Sequence, residues 1–112
     1  MNKEFYIAVS VKKFIFSLDE LLINIPNRER FIKEQLLEKS SELLEFLYLA
    51  NYYKDKDREI YQKIVLTQVS MVDFYLEYLH TKKYISNKQC EKKCNELLEI
   101  KKMIYKWIKT NE

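Results

Sequence analysis

Apolar side chains recur along this chain at intervals of three and four residues, which is the period of an amphipathic α-helix. The pattern predicts four helices, at about 3–24, 28–53, 58–81 and 86–110. In each helix, the residues that repeat at this interval should form the face that packs in the core. They are Tyr6, Phe14, Leu18, Leu21 and Leu22, with Val9, Val11, Ile15 and Phe16 beside them; Phe31, Ile32, Gln35, Leu36, Ser40, Leu43, Leu44, Leu47 and Ala50; Tyr61, Ile64, Val65, Val69, Val72, Leu76 and Leu79; and Leu97, Ile100, Ile104 and Ile108, with Trp107 alongside.

The predicted helices are separated by short stretches that do not favour a helix. Pro26 disfavours the α conformation at Ile25, so we expect the first helix to end there. The stretch 54–57 is wholly polar, and we expect Asp55 or Asp57 to cap the third helix.

The start of the fourth helix has the strongest local signal. Ser86 and Gln89 have the spacing of a capping box, in which each side chain accepts a hydrogen bond from the backbone N–H of the other residue. Helices joined by connections this short must run antiparallel to their neighbours. The sequence therefore predicts an all-α fold, with a single domain over 1–112 that forms an up-down-up-down antiparallel four-helix bundle.

The composition supports long helices and limits the chemistry. The 112 residues include no glycine and one proline, whereas the tight turns of β and α/β proteins depend on glycine. Without glycine, neither a P-loop nor a dinucleotide-binding loop can form. The formal net charge is +3, from 20 basic and 17 acidic residues, which is only a weak indication of nucleic-acid binding.

Residues suited to catalysis or metal binding are few. His80 is the only histidine, and its Glu77-x-x-His80 spacing is half of what a di-iron bundle needs. Cys90 and Cys94, four apart on a helix, are poorly placed for a disulfide and with His80 would supply three of the four ligands of a structural zinc ion. We therefore expect no metal, no cofactor and no enzymatic activity.

The sequence also gives an expectation for location. The chain opens without a signal-peptide pattern, and none of its apolar runs approaches the length that spans a membrane. We expect a cytoplasmic protein with reduced cysteines, no membrane partner and no small-molecule substrate.

Basic residues gather at two places, and both are candidate nucleic-acid-binding sites. Lysines at a helix C-terminus are also favoured by the helix dipole alone, so a purely local role stays open. The candidates are Lys12, Lys13, Arg28 and Arg30 near the first helix and its connection, and Lys101, Lys102, Lys106 and Lys109 in the fourth helix.

Aromatic residues are too numerous for the core of a narrow bundle. The chain has nine tyrosines, six phenylalanines and one tryptophan. Tyrosine is common at interfaces because its ring buries apolar area while its hydroxyl stays hydrogen-bonded. We expect self-association, with Tyr105 and Trp107 at an interface; scattered surface tyrosines are the alternative.

Four stretches follow one another along the chain in a recognisable order: Ile25–Arg30, Glu42–Ala50, Ile85-Ser86 and Glu99–Trp107. Together they resemble motifs of the accessory variability determinant (Avd) proteins of diversity-generating retroelements. Ile25–Arg30 resembles the element "aliphatic or Phe, Pro, Lys, x, Glu, Arg" that opens the family's second helix, and Glu42–Ala50 resembles the leucine-rich end of that helix. Ile85-Ser86 is similar to the start of its fourth helix. Glu99–Trp107 is similar to its closing element "Glu-Ile-Gly-Arg, aliphatic, Gly-Gly-Trp", although Lys101 and Tyr105-Lys106 replace the glycines.

The resemblance implies a four-helix bundle that assembles as a homopentameric barrel. It also implies binding of the retroelement reverse transcriptase and of RNA or an RNA/DNA hybrid, in support of mutagenic retrohoming. The related 23S rRNA intervening-sequence proteins share the bundle and the pentamer, but Ala50-Asn51-Tyr52 is as close as this chain comes to their Asn-Ile-Ala-Glu-Gly element. The alternative hypothesis is a structural or protein-interaction module of the intervening-sequence type, without nucleic-acid binding.

Overall fold

The computed structural model describes residues 5–111, and within that range it contains helices and no strand. The long helices are α1 (Tyr6–Leu22), α2 (Arg30–Tyr52), α3 (Asp55–Thr81) and α4 (Asn87–Lys109), and a 3-10 turn at Asn27–Glu29 precedes α2. Each helix packs against the next in sequence, and α4 also packs against α1, so that the four helices form a closed ring. The molecule measures 43 × 23 × 22 Å. The predicted four-helix bundle is confirmed.

Contacts at the two ends of the bundle confirm that the helices alternate in direction. At one end, the connection between α1 and α2 meets the connection between α3 and α4, where Arg28 Nη2 donates to the Tyr84 hydroxyl at 3.3 Å. At the other end, the ring of Phe5 lies 5.2 Å from that of Trp107, close to the last turn of α4. The arrangement is up-down-up-down.

The ends of the helices differ from the expected ones by a few residues. Residues 3 and 4 of the first expected helix lie outside the described range, and α1 ends at Leu22 because the chain turns toward Pro26. The second helix is preceded by the 3-10 turn and begins at Arg30 instead of at 28. It also ends one residue early, at Tyr52, because Tyr53 is extended.

The start of α3 is a correction to the predicted cap. The N-cap is Lys54, which is extended and makes no side-chain cap, and the helix begins at Asp55 instead of at 58. Asp55 and Asp57 therefore lie in the first turn, where their charges stabilise the helix dipole without capping the chain.

The predicted cap of α4 is confirmed. The Gln89 backbone N–H donates to Ser86 Oγ at 3.0 Å, and the Ser86 N–H donates to Gln89 Oε1 at 2.8 Å. With Ser86 as the N-cap, α4 runs from Asn87 to Lys109, one residue shorter at each end than expected.

The last carbonyl groups of α3 are hydrogen-bonded through a motif that usually contains glycine, although this chain has none. The N–H of Tyr84 donates to the carbonyl of Leu79 at 2.9 Å and that of Lys83 to the carbonyl of His80 at 3.0 Å, which are the two hydrogen bonds of a Schellman motif. This motif needs a left-handed residue, usually glycine, and here Lys83 takes that conformation with a φ of 65°.

The core is built from the predicted rows, with three corrections. Val11, Phe14, Leu36, Val65 and other members of the rows are buried. Tyr6 is 68% exposed, Phe16 76% and Phe31 65%, so these three expected core residues lie on the surface. Each lies next in sequence to a residue that faces the core more directly, and one residue is a rotation of about 100° around a helix.

One charged residue is buried between α1 and α4. Lys93 is 4% exposed, and its ammonium group donates to Ser17 Oγ and, at 3.2 Å, to Glu96 Oε1. The same nitrogen lies 5.3 Å from the centre of the Phe14 ring. A buried charge is tolerated when it is paired and hydrogen-bonded, as it is here.

Candidate interaction surfaces

The positive charge of the protein is concentrated on α4. This helix contains seven lysines and three glutamates, a net charge of +4 in a chain whose total is +3. Lys102, Lys106 and Lys109 follow one another at intervals of one helical turn, and all three are exposed. Lys88 and Lys92 extend the exposed lysines toward the start of the helix.

The predicted basic residues of α4 differ in their surroundings. Lys102 Nζ lies 3.3 Å from Glu99 Oε1, and Lys101 is half-buried in the groove between α3 and α4 that Asp73 also lines. Within residues 5–111, Lys106 and Lys109 form no ion pair. These two lysines are therefore the ones best placed to meet a phosphate.

The structure brings one predicted residue of α1 next to α4. Lys13 lines the groove between the two helices together with Glu96 and Glu99, and these carboxylates offset part of its charge. Lys12 is exposed on α1, one residue further around the helix.

The predicted arginines lie at the opposite end of the bundle from Lys106 and Lys109. Arg28 is held by Tyr84, both through the hydroxyl and with its guanidinium 5.9 Å from the centre of the ring. Arg30 Nε lies 3.8 Å from Glu34 Oε1. A helix of 23 residues is about 34 Å long, so the eight predicted basic residues do not form one continuous patch.

The two predicted interface residues have different environments. Tyr105 is 48% exposed on the outside of α4. Trp107 is half-buried, with its ring against Phe5 and the Arg58 guanidinium. Trp107 therefore stabilises this end of the bundle by packing, and only part of its side chain is accessible to a partner.

The sequence interpretation missed two apolar surfaces. On the face formed by α1 and α2, Phe16 and Ile23 are exposed, and Leu37 and Tyr48 of α2 lie on the same side of the molecule. On the outside of α3, Ile60 and Phe74 are exposed. A second row of apolar residues at helical spacing, beside the core row of the same helix, was the signal in the sequence.

The cysteines and the histidine have structural neighbours. Cys90 Sγ and Cys94 Sγ are 3.7 Å apart as free thiols, and burial, with a smaller effect of Cys90, raises the pKa of Cys94 to about 11. His80 Nε2 is 2.6 Å from Asn87 Oδ1, which links the end of α3 to the start of α4. Among the residues that the structure describes, no three His, Cys, Asp or Glu side chains are grouped to hold a metal ion.

Comparison of the chain with protein-family models, with curated proteins and with solved structures found no match. No helix in the described range combines the length and the apolar character needed to cross a bilayer. The fold and its surfaces thus define a class, an antiparallel four-helix bundle with a basic helix and two partly apolar faces.

Proposed function

We propose that this bundle is a non-enzymatic accessory protein of a diversity-generating retroelement, which binds reverse transcriptase and RNA or an RNA/DNA hybrid and supports mutagenic retrohoming. The observation that carries the nucleic-acid part is the concentration of exposed lysines on α4. The resemblance of four ordered motifs to the Avd proteins supplies the reverse transcriptase and the retroelement.

The proposed role of the α4 lysines follows from simple electrostatics. Lys102, Lys106 and Lys109 would each neutralise one phosphate and release condensed counterions, which gives weak and salt-dependent binding for a single chain. Tyr105, exposed between these lysines, offers a ring on which a base can stack. Lys12, Lys13 and Lys101 would extend the positive surface, whereas Arg28 and Arg30 would contact a second stretch of a long RNA.

Self-association is the second part of the proposal, with a homopentamer as the favoured assembly. Exposed Phe16 and Ile23 on the α1–α2 face support it, because apolar residues grouped on a surface favour burial in an interface. A ring of identical subunits would repeat the α4 lysines around an axis and multiply a weak affinity. Light scattering tests this part, and a monodisperse species at the single-chain mass of 13.8 kDa would contradict it.

The nucleic-acid part is tested by fluorescence anisotropy of a labelled single-stranded RNA at several salt concentrations. We expect binding that weakens with salt, with a log–log slope of about −0.7 for each phosphate contacted. A triple variant with Lys102, Lys106 and Lys109 changed to glutamine should lose most of this affinity. The matched control changes three exposed lysines outside α4, namely Lys56, Lys63 and Lys83, and should bind nearly as well as the unchanged protein.

The reverse-transcriptase part is tested separately. A reverse-transcriptase gene next to the gene for this chain would support it, and the two proteins should then co-purify when they are expressed together. Failure to co-purify with the neighbouring enzyme, at low and moderate salt, counts against this part.

A structural or protein-interaction module of the intervening-sequence type is the second candidate. It is favoured by the pairing of Lys102 with Glu99 and of Arg30 with Glu34, which leaves less free positive charge than the sequence implies. This candidate predicts an oligomer that shows no RNA binding even at low salt.

A further inference from the structure

On the face formed by α2 and α3, a row of mostly apolar residues of α3 lies outside the buried core row. The core row of α3 includes Val65, Val69 and Val72, all buried. The outer row lies beside the core row of the same helix, and its Met71 and Tyr78 pack partly against the core. It repeats at intervals of four and three residues, which is the heptad spacing of a helix that packs against another helix. Its members are Ile60, Ile64, Thr67, Met71, Phe74 and Tyr78, each exposed or half-buried.

A second row, on α2, has the same spacing but a different character. Phe31 and Leu49 form its two ends, and the positions between them are polar, with three glutamates in the middle. Glu38 and Glu45 are exposed, and Glu42 is half-buried. The row consists of Phe31, Gln35, Glu38, Glu42, Glu45 and Leu49.

Contacts between α2 and α3 fix how the two rows lie against each other. Phe46 stacks on Tyr61 with the ring centres 6.1 Å apart, and the Tyr78 hydroxyl donates to Glu29 at 3.3 Å. Because the two helices are antiparallel and aligned by these contacts, the α2 row and the outer row of α3 run side by side over nearly the same length of the bundle. The three glutamates therefore lie beside the middle of the apolar row, and Phe31 and Leu49 are level with its two ends.

Two acceptor atoms between these helices lack a hydrogen-bond donor among residues 5–111. They are Glu42 Oε1 and Gln68 Oε1, and both are buried. Lys39 Nζ lies 3.3 Å from Glu42 Oε1, close enough for an ion pair but outside hydrogen-bond geometry. Both atoms are closed to solvent, so a cation from outside would meet the exposed carboxylates of Glu38 and Glu45 instead of these two acceptors.

We propose that the α2–α3 face binds a cationic amphipathic helix of a partner protein. The apolar side of that helix would pack on the outer row of α3, where Ile60 is 55% and Phe74 49% exposed, and its lysines or arginines would meet Glu38 and Glu45. The outer row spans Ile60 to Tyr78, about 27 Å along the helix, which matches a partner helix of about five turns. Helix-in-groove binding of this kind uses anchors at the same heptad spacing.

Charge selects a cationic partner over a second copy docked through the same face. In a twofold dimer, the glutamate row of one copy would oppose either the glutamates or the apolar row of the other. The first arrangement is repulsive, and the second supplies no cation to Glu38 and Glu45. The α4 lysines lie on the helix diagonally across the ring from α2, so this inference does not depend on nucleic-acid binding.

The probe is a fluorescein-labelled synthetic helix of about 21 residues, three heptads long, with leucine at a and d and lysine at e and g. The control peptide carries glutamate in place of every lysine. Fluorescence anisotropy should show the lysine peptide binding to the full chain and the glutamate peptide failing to bind. Because the contacts are charged, affinity should fall as salt is raised.

Variants of the protein locate the binding. The double variant Glu38→Lys/Glu45→Lys and the double variant Ile60→Ser/Phe74→Ser should each weaken binding by about tenfold or more. The controls Glu20→Lys and Tyr6→Ser change an exposed charge and an exposed ring on α1 that belong to neither proposed surface, and should leave the affinity unchanged. All these positions are solvent-exposed, and circular dichroism checks that each variant keeps its helices.

Two results would overturn the proposal. One is equal binding of the lysine peptide to Glu38→Lys/Glu45→Lys and to the unchanged protein. The other is self-association of the chain that disappears in Ile60→Ser/Phe74→Ser, since a second copy would then be the occupant of this face. An oligomer that persists in both variants is the expected result, because the proposed assembly uses the α1–α2 face.

Discussion

The guanidinium of Arg58 lies 5.7 Å from the centre of the Trp107 ring, and this contact joins the start of α3 to the end of α4. The same group satisfies the end of α2. Its Nε donates to the carbonyls of Ala50 at 2.9 Å and Tyr53 at 3.0 Å, and its Nη2 donates to that of Asn51 at 3.1 Å. One side chain thus holds three helices together at this end of the bundle.

Replacing Arg58 with leucine should lower the free energy of unfolding by about 2–3 kcal/mol, because hydrogen bonds from a charged donor and a cation–π contact are lost together. Urea unfolding followed by circular dichroism measures the loss. Arg58→Lys keeps the charge but not the forked donors, so its loss should be intermediate. Equal stability of all three proteins would contradict the role assigned to Arg58.

Replacing Lys83 with glycine should raise the free energy of unfolding by about 0.5–1 kcal/mol. Lys83 has a φ of 65°, which costs a residue with a Cβ about 1–2 kcal/mol, and the greater backbone entropy of glycine in the unfolded chain offsets part of the gain. The control is Lys82→Gly, since Lys82 has a φ of −79° and gains nothing from glycine. The control should lower stability, and two thermal melts compare the variants.

Replacing Ser40 with alanine should stabilise the bundle by about 1 kcal/mol. Ser40 is fully buried in α2, and its hydroxyl has no hydrogen-bond partner in the described part of the chain. Ser41 is exposed on the same helix, so Ser41→Ala reports the gain in helix propensity alone, about a few tenths of a kcal/mol. Similar urea midpoints for the two variants would mean that the buried hydroxyl has little cost.

The thiol of Cys94 should react slowly with iodoacetamide at neutral pH, with a rate that rises toward pH 11. Burial is the main cause that raises the pKa of Cys94 from its ordinary value of 9.0 to about 11, and the hydrogen bond between Cys94 and Cys90 adds to it. In Cys90→Ala the burial remains, so the pH midpoint of the reaction rate should still be higher than that of an exposed thiol. A profile centred near pH 9 would contradict this environment.

The raised pKa of Cys94 makes the free energy of unfolding depend on pH. Between about pH 9 and 11 the unfolded chain has lost the Cys94 proton while the folded chain still holds it, so raising the pH favours unfolding. Below pH 9 both states are protonated and the contribution is fully present. Cys94→Ala should therefore lose less stability than the unchanged protein over this range, as urea unfolding at pH 8 and pH 10.5 would measure.

Much of the fold follows from local patterns that the sequence alone contains. The rows through Leu18, Leu43, Val69 and Ile100 predict helices because a period of 3.6 residues is a property of the chain itself. The capping box at Ser86 is equally local, since both of its partners lie within four residues. The absence of glycine favours long helices, although it did not reveal that Lys83 would take the left-handed position.

The surfaces depended on tertiary structure. Ile60, Phe74 and Phe16 belong to rows as regular as the core rows, and only the placement of neighbouring helices decides which row of a helix is covered. Lys93 is charged and yet buried, because Ser17 on another helix and Glu96 meet it.

The sequence by itself determined four helices, their antiparallel order and the concentration of lysine in the last of them, because each of these depends on residues close together in the chain. Only the tertiary structure decided that Arg28 and Lys109 lie at opposite ends, that Trp107 packs on Arg58, and that the glutamates of α2 lie beside the apolar row of α3. Such relations depend on how helices rotate and align against one another, and many distant contacts together set that alignment.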